Sequence, residues 1–272
     1  MQDENFLICA YAFDGQGGAA KIEGDNIAAK VKGKELAWVH MDLGHSGTRD
    51  WLQNNVDYLD DLVLDALLAP ETRPRISEFE KGALIILRGM NLNENAEPED
   101  MISIRFWIDQ HRIISTRLRK LKAVQDIRDK LEAGTGPKDA ADFFVALSSR
   151  LFERMEPVLL DLEERIDDIE EAMQDDPNIS FRKDIVDIRK KAIIFRRYIT
   201  PQKDVMAYMR GADFEWLTPQ HRRRMNENYD RILRYTESLD AIRERAQIIK
   251  DELTSILADK MNRNMYILSI VA

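Results

Sequence analysis

The chain has 272 residues, 33% of them charged, and a formal net charge of −9. That length holds one large domain, or one domain with a helical extension, and the acidic balance excludes a general nucleic-acid binder. A single cysteine, Cys9, excludes a disulfide framework and suits a reducing cytosol.

The acidic start, Met1-Gln-Asp-Glu-Asn5, carries no signal-peptide pattern. Residues 1 to about 120 read as mixed α and β. Phe6–Phe13 is a predicted strand that ends in the glycine turn Asp14-Gly-Gln-Gly-Gly18. Leu36–Leu43 is a second strand. Thr48–Leu68 has helical spacing and stops at Pro70-Glu-Thr-Arg-Pro-Arg75. Four short β-branched or aromatic stretches follow, at Arg75–Phe79, Ala83–Met90, Met101–Ile108 and Ile113–Thr116.

From Leu118 the period becomes helical. Arg119–Ala133 is amphipathic and ends at Gly134-Thr-Gly-Pro137. This is no phosphate loop, because it lacks the lysine and the preceding strand. Asp139–Gln174 reads as one long helix with a stripe of Leu151, Met155, Val158, Leu162, Ile166, Ile169 and Met173, and Pro157 is expected to kink it. A further helix starts at Ser180 and runs to Arg210, with Pro201 inside and Gly211 after it.

Thr218–Ala272 reads as one helix of about 50 residues, roughly 75–80 Å long at about 1.5 Å per residue. Thr218-Pro219 supplies the N-cap and the first-turn proline, and no later glycine or proline interrupts it. Ile232, Tyr235, Leu239, Ile242, Ala246, Ile249, Leu253 and Ile256 form a seam stepping by threes and fours. A second set, Asp251, Ser255, Ala258, Asn262, Met265 and Ser269, lies on the opposite face, since Leu253 and Ser255 are roughly 200° apart. That face either meets solvent or gathers several stalks around an axis. No window reaches a full uncharged span, so the apolar run Met265–Ala272 is either a buried helix end or the start of a membrane helix in a truncated chain.

Candidate chemistry is sparse. His40, Asp42 and His45 form the best metal-like cluster, with His40 and Asp42 on one strand face; ordinary strand-end residues are the alternative. Arg222, Arg223 and Arg224 either face solvent or dock anions or acidic neighbours. The acidic run Glu163, Glu164, Asp167, Asp168, Glu170, Glu171, Asp175 and Asp176 either is solvated or concentrates cations. No nucleophile–base constellation stands out, so the chain is expected not to be an enzyme and to carry no cofactor.

The stalk end, Asp251 to Ala272, resembles the segment entering the first transmembrane helix of CorA-type divalent-cation transporters, and the chain looks like their zinc-transporting ZntB branch. Supporting stretches in order are Trp38-Val-His-Met-Asp42, Thr72-Arg-Pro-Arg75, Gly82–Arg88, Ile114-Ser-Thr-Arg-Leu-Arg-Lys120, Leu131-Glu-Ala-Gly-Thr-Gly-Pro137, Arg196–Val205 and Arg222-Arg-Arg-Met225. The resemblance implies an α+β fold: an N-terminal αβα sandwich with a mixed sheet (1–138), a long helical hairpin (139–217) and a stalk helix (218–272) leading into the membrane. It implies a homopentamer in the inner membrane, with this part cytoplasmic and zinc as the transported ion. Asn262, Met265 and Leu268 match pore-facing positions of the family, Ser269 neighbours them, and Asp251 matches an acidic ring. The family's Gly-x-Asn motif belongs beyond the first transmembrane helix, so Gly89-Met90-Asn91 is read as coincidence. A coiled-coil scaffold that oligomerises without any membrane is the competing expectation.

Overall fold

The computed structural model describes residues 6–56, 58–175 and 178–271. The chain divides into two units, Met1–Met155 with Tyr198–Leu233 and Glu156–Arg197 with Arg234–Ala272.

The first unit is built on a seven-stranded sheet in the order β2-β1-β3-β7-β6-β5-β4. Its strands are β1 (Leu7–Phe13), β2 (Ala19–Lys21), β3 (Ala37–Asp42), β4 (Arg75–Phe79), β5 (Gly82–Gly89), β6 (Ile102–Asp109) and β7 (Arg112–Arg117). β3 and β7 pair in parallel and every other neighbour pair is antiparallel, so the sheet is mixed. Seven of the eight β5 residues and all eight of β6 are buried, as central strands covered on both faces require.

Helices α1 (Asn26–Lys32), α2 (Gly47–Asn55) and α3 (Asp61–Leu68) cover one face. Ala37, Val39 and Met41 of β3 point into that layer, beside Leu52, Val63 and Leu67. Alternate residues point to the other face, where α4 (Lys122–Glu132) and α5 (Ala140–Glu153) pack. There Trp38 meets Phe143 edge-on with ring centres 4.9 Å apart. The architecture is therefore an αβα sandwich, as the sequence reading expects.

Gly89 shows why β5 ends as it does. A Cβ there would lie 2.7 Å from Leu151 Cδ2 and 2.9 Å from Leu121 Cδ1, so those leucine side chains would have to shift to admit one. The Gly89-Met90-Asn91 stretch is thus a packed strand end, with Asn91 Oδ1 accepting from Asn93 Nδ2 at 2.8 Å.

The region read as one helix over Thr48–Leu68 is two. α2 stops at Asn55, and α3 restarts where Asp60 caps Leu62 N at 2.7 Å. The long helix read over Asp139–Gln174 is likewise two, α5 and α6 (Glu156–Asp175), broken at Arg154-Met155. Pro157 needs no kink, because it falls in the first turn of α6, where a missing N–H costs nothing. The Asp176 and Pro177 part of the predicted stop lies outside the described residues. α7 (Phe181–Gly211) runs through Pro201, and α8 (Pro219–Val271) has 53 residues.

The second unit is a three-helix assembly of α6, the first part of α7 and the later part of α8. Ser238 bonds Glu163, and one heptad further on Arg245 bonds Glu170, so α6 and α8 run parallel in heptad register. Leu162, Ile166 and Ile169 of α6, Ile185, Ile188 and Phe195 of α7, and Leu239, Ile242, Ala246, Ile249 and Leu253 of α8 are buried in this unit.

Candidate functional site: the outer face of the last helix

The seam of α8 is buried at every position from Ile232 to Leu253, and Ile256 is half-buried. The opposite face is bare. Asp251, Ser255, Ala258, Asn262, Met265, Leu268 and Ser269 are all exposed in the isolated chain. Beyond Ile256 the seam ends and the whole circumference opens. Met261, Met265, Tyr266, Ile267, Leu268, Ile270 and Val271 are exposed together, with Met265 at 58% and Leu268 at 69%. Scattered apolar side chains on a surface are ordinary, but a continuous apolar helix end marks a site of association.

The polar groups on this face are modest. Gln247 Nε2 donates to Asp251 Oδ1 at 2.8 Å, one helical turn back. Ser269 Oγ donates to Met265 O at 2.8 Å, which leaves its hydroxyl oxygen free to accept. Ser255, Ala258 and Asn262 leave space that bulkier residues would fill. A ring of such faces would offer weak oxygen contacts below and a thioether and isobutyl constriction above.

His40, Asp42 and His45 are not gathered into a ligand set. Among the described residues, only Asp139, Asp142 and His221 form a His, Cys, Asp or Glu trio with ligand atoms within 4.8 Å of one another. His40 is wholly buried on the α4–α5 face of the sheet, with Nδ1 2.8 Å from Ser115 Oγ. Burial, aided by Arg117 and Arg128, pulls its pKa from 6.5 to about 3, so it is a neutral core histidine. Asp42 Oδ1 accepts from Gly44 N at 2.8 Å, and His45 Nδ1 accepts from Gly47 N at 3.1 Å, so both organise the turn after β3. Cys9 is buried, and desolvation pushes its thiol up to about 12, which makes it inert.

The arginine triplet is mostly used within the fold. Arg222 Nη1 donates to Arg210 O at 3.1 Å at the end of α7, Arg224 binds Asp142, and Arg223 is exposed. Of the acidic run on α6, Glu163, Asp167 and Glu170 are engaged by Ser238 and Arg245, while Glu164, Asp168 and Glu171 face outward.

A cleft of about 800 Å³ opens at the sheet end near Tyr58, Phe79, Trp107, Arg112 and Trp216. Its best-placed acid, Asp109, is taken up by Trp107 Nε1 at 2.8 Å and by Arg112 Nε at 3.2 Å. Among the described residues no nucleophile is held against a base there. Sequence reasoning missed the meeting of His221 with Asp139 and Asp142, since no spacing motif links residues so far apart. The only local signal was that Asp139 and Thr218 are both N-cap residues.

A helix that buries one seam within its own fold and then continues bare and apolar presents a surface of the kind that association covers. A family model described as CorA-like Mg2+ transporter protein matches residues 33–272, and the chain belongs to that family. It is 36% identical over 265 residues to the zinc transport protein ZntB of Pectobacterium carotovorum, covering 97% of this chain and 80% of that protein. The structure of the full-length CmaX protein matches 99% of this chain and 83% of its own, with TM-score 0.91 and 34% identity. The ZntB cytoplasmic domain of Vibrio parahaemolyticus matches 94% of this chain and 99% of its own, with TM-score 0.82 and 26% identity. Among the described residues no helix is long and apolar enough to cross a membrane.

Proposed function

We propose that this chain is the cytosolic part of a divalent-cation transporter of the inner membrane, with zinc as its cargo, and that it works as a homopentamer. In this reading α8 lines the ion path around the axis. Asp251 forms an acidic ring that attracts cations, Ser255, Ala258 and Asn262 keep the bore open and polar, and Met265 and Leu268, beside Ser269, narrow it. A narrow apolar ring strips hydration partners from an ion, so a small rotation of each stalk would open or close the path.

The observation that carries the proposal is the two-faced α8, buried along Ile232–Leu253 and bare and apolar from Met261 onward. Relatives named as zinc and divalent-cation transporters support the cargo class. The inward face offers neither histidine nor thiolate, so it would pass a hydrated or partly hydrated ion rather than hold it.

The test is Asn262→Cys in the intact transporter, treated with a flexible bis-maleimide. The native Cys9 is buried and will not compete. Cross-linked dimers, the limit for one thiol per chain, with native mass spectrometry counting five copies in the uncross-linked assembly and altered zinc uptake in liposomes, are the expected result. Reaction only as a monomer, with unchanged uptake, would remove Asn262 from the axis.

A further inference from the structure

We propose that Asp139, Asp142 and His221 form a zinc-type divalent-cation site that ties the first turn of α8 to the first turn of α5. The proposal does not depend on the ion path, and all three residues lie in the sheet unit.

Asp139 is the N-cap of α5, its Oδ1 accepting from Asp142 N at 2.8 Å. Asp142 follows in the first turn. His221 sits in the first turn of α8 and is buried, with 7% exposure. Its Nε2 lies 3.5 Å from Asp139 Oδ2 and 3.6 Å from Asp142 Oδ1. Those separations are long for charge-assisted hydrogen bonds, which run at about 2.7–2.9 Å. They suit two ligands of one tetrahedral ion: bonds of about 2.0–2.2 Å place neighbouring ligand atoms roughly 3.3–3.6 Å apart.

The far side of the ring has an acceptor within reach. Thr218 Oγ1 lies 3.1 Å from His221 Nδ1, and Thr218 N donates to it at 3.3 Å. A metal on Nε2 would place the imidazole proton on Nδ1, turned away from the Thr218 N–H and toward Thr218 Oγ1 as acceptor; such outer hydrogen bonds orient metal-bound histidines. Asp139 has a side chain 53% exposed, so the fourth position opens to water. Arg224 binds the same Asp142 Oδ1 that faces His221 and fixes that carboxylate. Two carboxylates against one guanidinium leave negative charge for the ion to neutralise. The helix N-termini oppose a cation, so imidazole ligation has to supply the selectivity. An imidazole with two carboxylates favours zinc over magnesium, which prefers an all-oxygen octahedron and keeps its waters.

The experiment is zinc titration of the chain by calorimetry and thermal melting, beside Asp139→Asn and His221→Gln. Both variants keep their local hydrogen bonds, since Asn caps a helix as well as Asp and Gln serves at the third position of a capping box. The wild type should bind one more zinc per chain than either variant and melt higher with zinc, while magnesium has no effect. Cobalt in place of zinc should give the visible absorption of a four-coordinate site, absent from both variants. Equal zinc stoichiometry and equal zinc-induced melting shifts in all three proteins would overturn the proposal. Lower melting of the variants with an unchanged zinc response would reduce the trio to a structural ion pair.

Discussion

Arg245 of α8 spans Glu170 and Asp167 of α6, its Nε 3.0 Å from Glu170 Oε1 and its Nη2 2.5 Å from Asp167 Oδ1. The two carboxylates hold the guanidinium charged well above its ordinary range. The pair lies one heptad beyond Ser238–Glu163, so it pins the parallel register of these helices. Because the groups are partly exposed, solvent and salt screening limit their worth. In a double-mutant cycle of Arg245→Ala and Glu170→Ala, read by urea unfolding, the coupling should be about 1 kcal/mol at low salt and should shrink at high salt. No coupling would mean that apolar packing alone sets the register.

His40 gives the sheet unit an acid-sensitive window. Its pKa is about 3 in the fold, against an ordinary 6.5 when unfolded. Between these values the unfolded chain binds a proton that the folded chain refuses, so stability rises with pH across the window and is complete above 6.5. Taking the chain from pH 7 to pH 5 should cost about 2 kcal/mol from this residue alone. His40→Gln should flatten that part of the profile, whatever it does to stability at pH 7. An unaltered slope in denaturant unfolding at the two pH values would place the acid sensitivity elsewhere.

Gly89→Ala tests the close approach of α5 to β5. The added methyl meets Leu151 and Leu121 below ordinary contact distance. Overpacking of this kind costs about 1–3 kcal/mol. Thermal melting should register the loss, and Leu121→Ala in the same chain should recover part of it. Additive losses would show that the methyl is accommodated by backbone movement instead.

Much of this architecture is legible in the sequence because period and burial coincide. The α8 seam steps from Ile232 to Leu253 without a miss, and the boundaries of β4 are read to the residue. What escaped has physical reasons. β2 has three residues at a sheet edge, too few for alternation to register, and α1 is a single amphipathic stretch with only Ile27 and Val31 buried. The α2–α3 break contains no glycine or proline, so only the N-cap Asp60 marks it. Pro157 and Pro201 look alike in sequence, yet one opens a helix and the other lies within one, because position in the turn decides the cost. The outer face of α8 is legible as a pattern, because its small and polar residues step by threes and fours opposite the seam.

The two faces of α8 make opposite demands on substitution, and a pair of variants separates them. Leu253 is 1% exposed on the seam, whereas Met265 is 58% exposed beyond it. Leu253→Ala removes buried methyl groups and should destabilise the chain by about 2–4 kcal/mol in urea unfolding. Met265→Asp loses no packing in the isolated chain, so its unfolding midpoint should match the wild type within about 0.5 kcal/mol. In the intact transporter the ranking reverses. A carboxylate at the proposed constriction hydrates an apolar ring and offers the ion a ligand, so Met265→Asp should change zinc flux in liposomes while leaving assembly measurable. Unchanged flux in that variant would move the constriction off Met265, and a destabilised isolated chain would place the residue within its own fold.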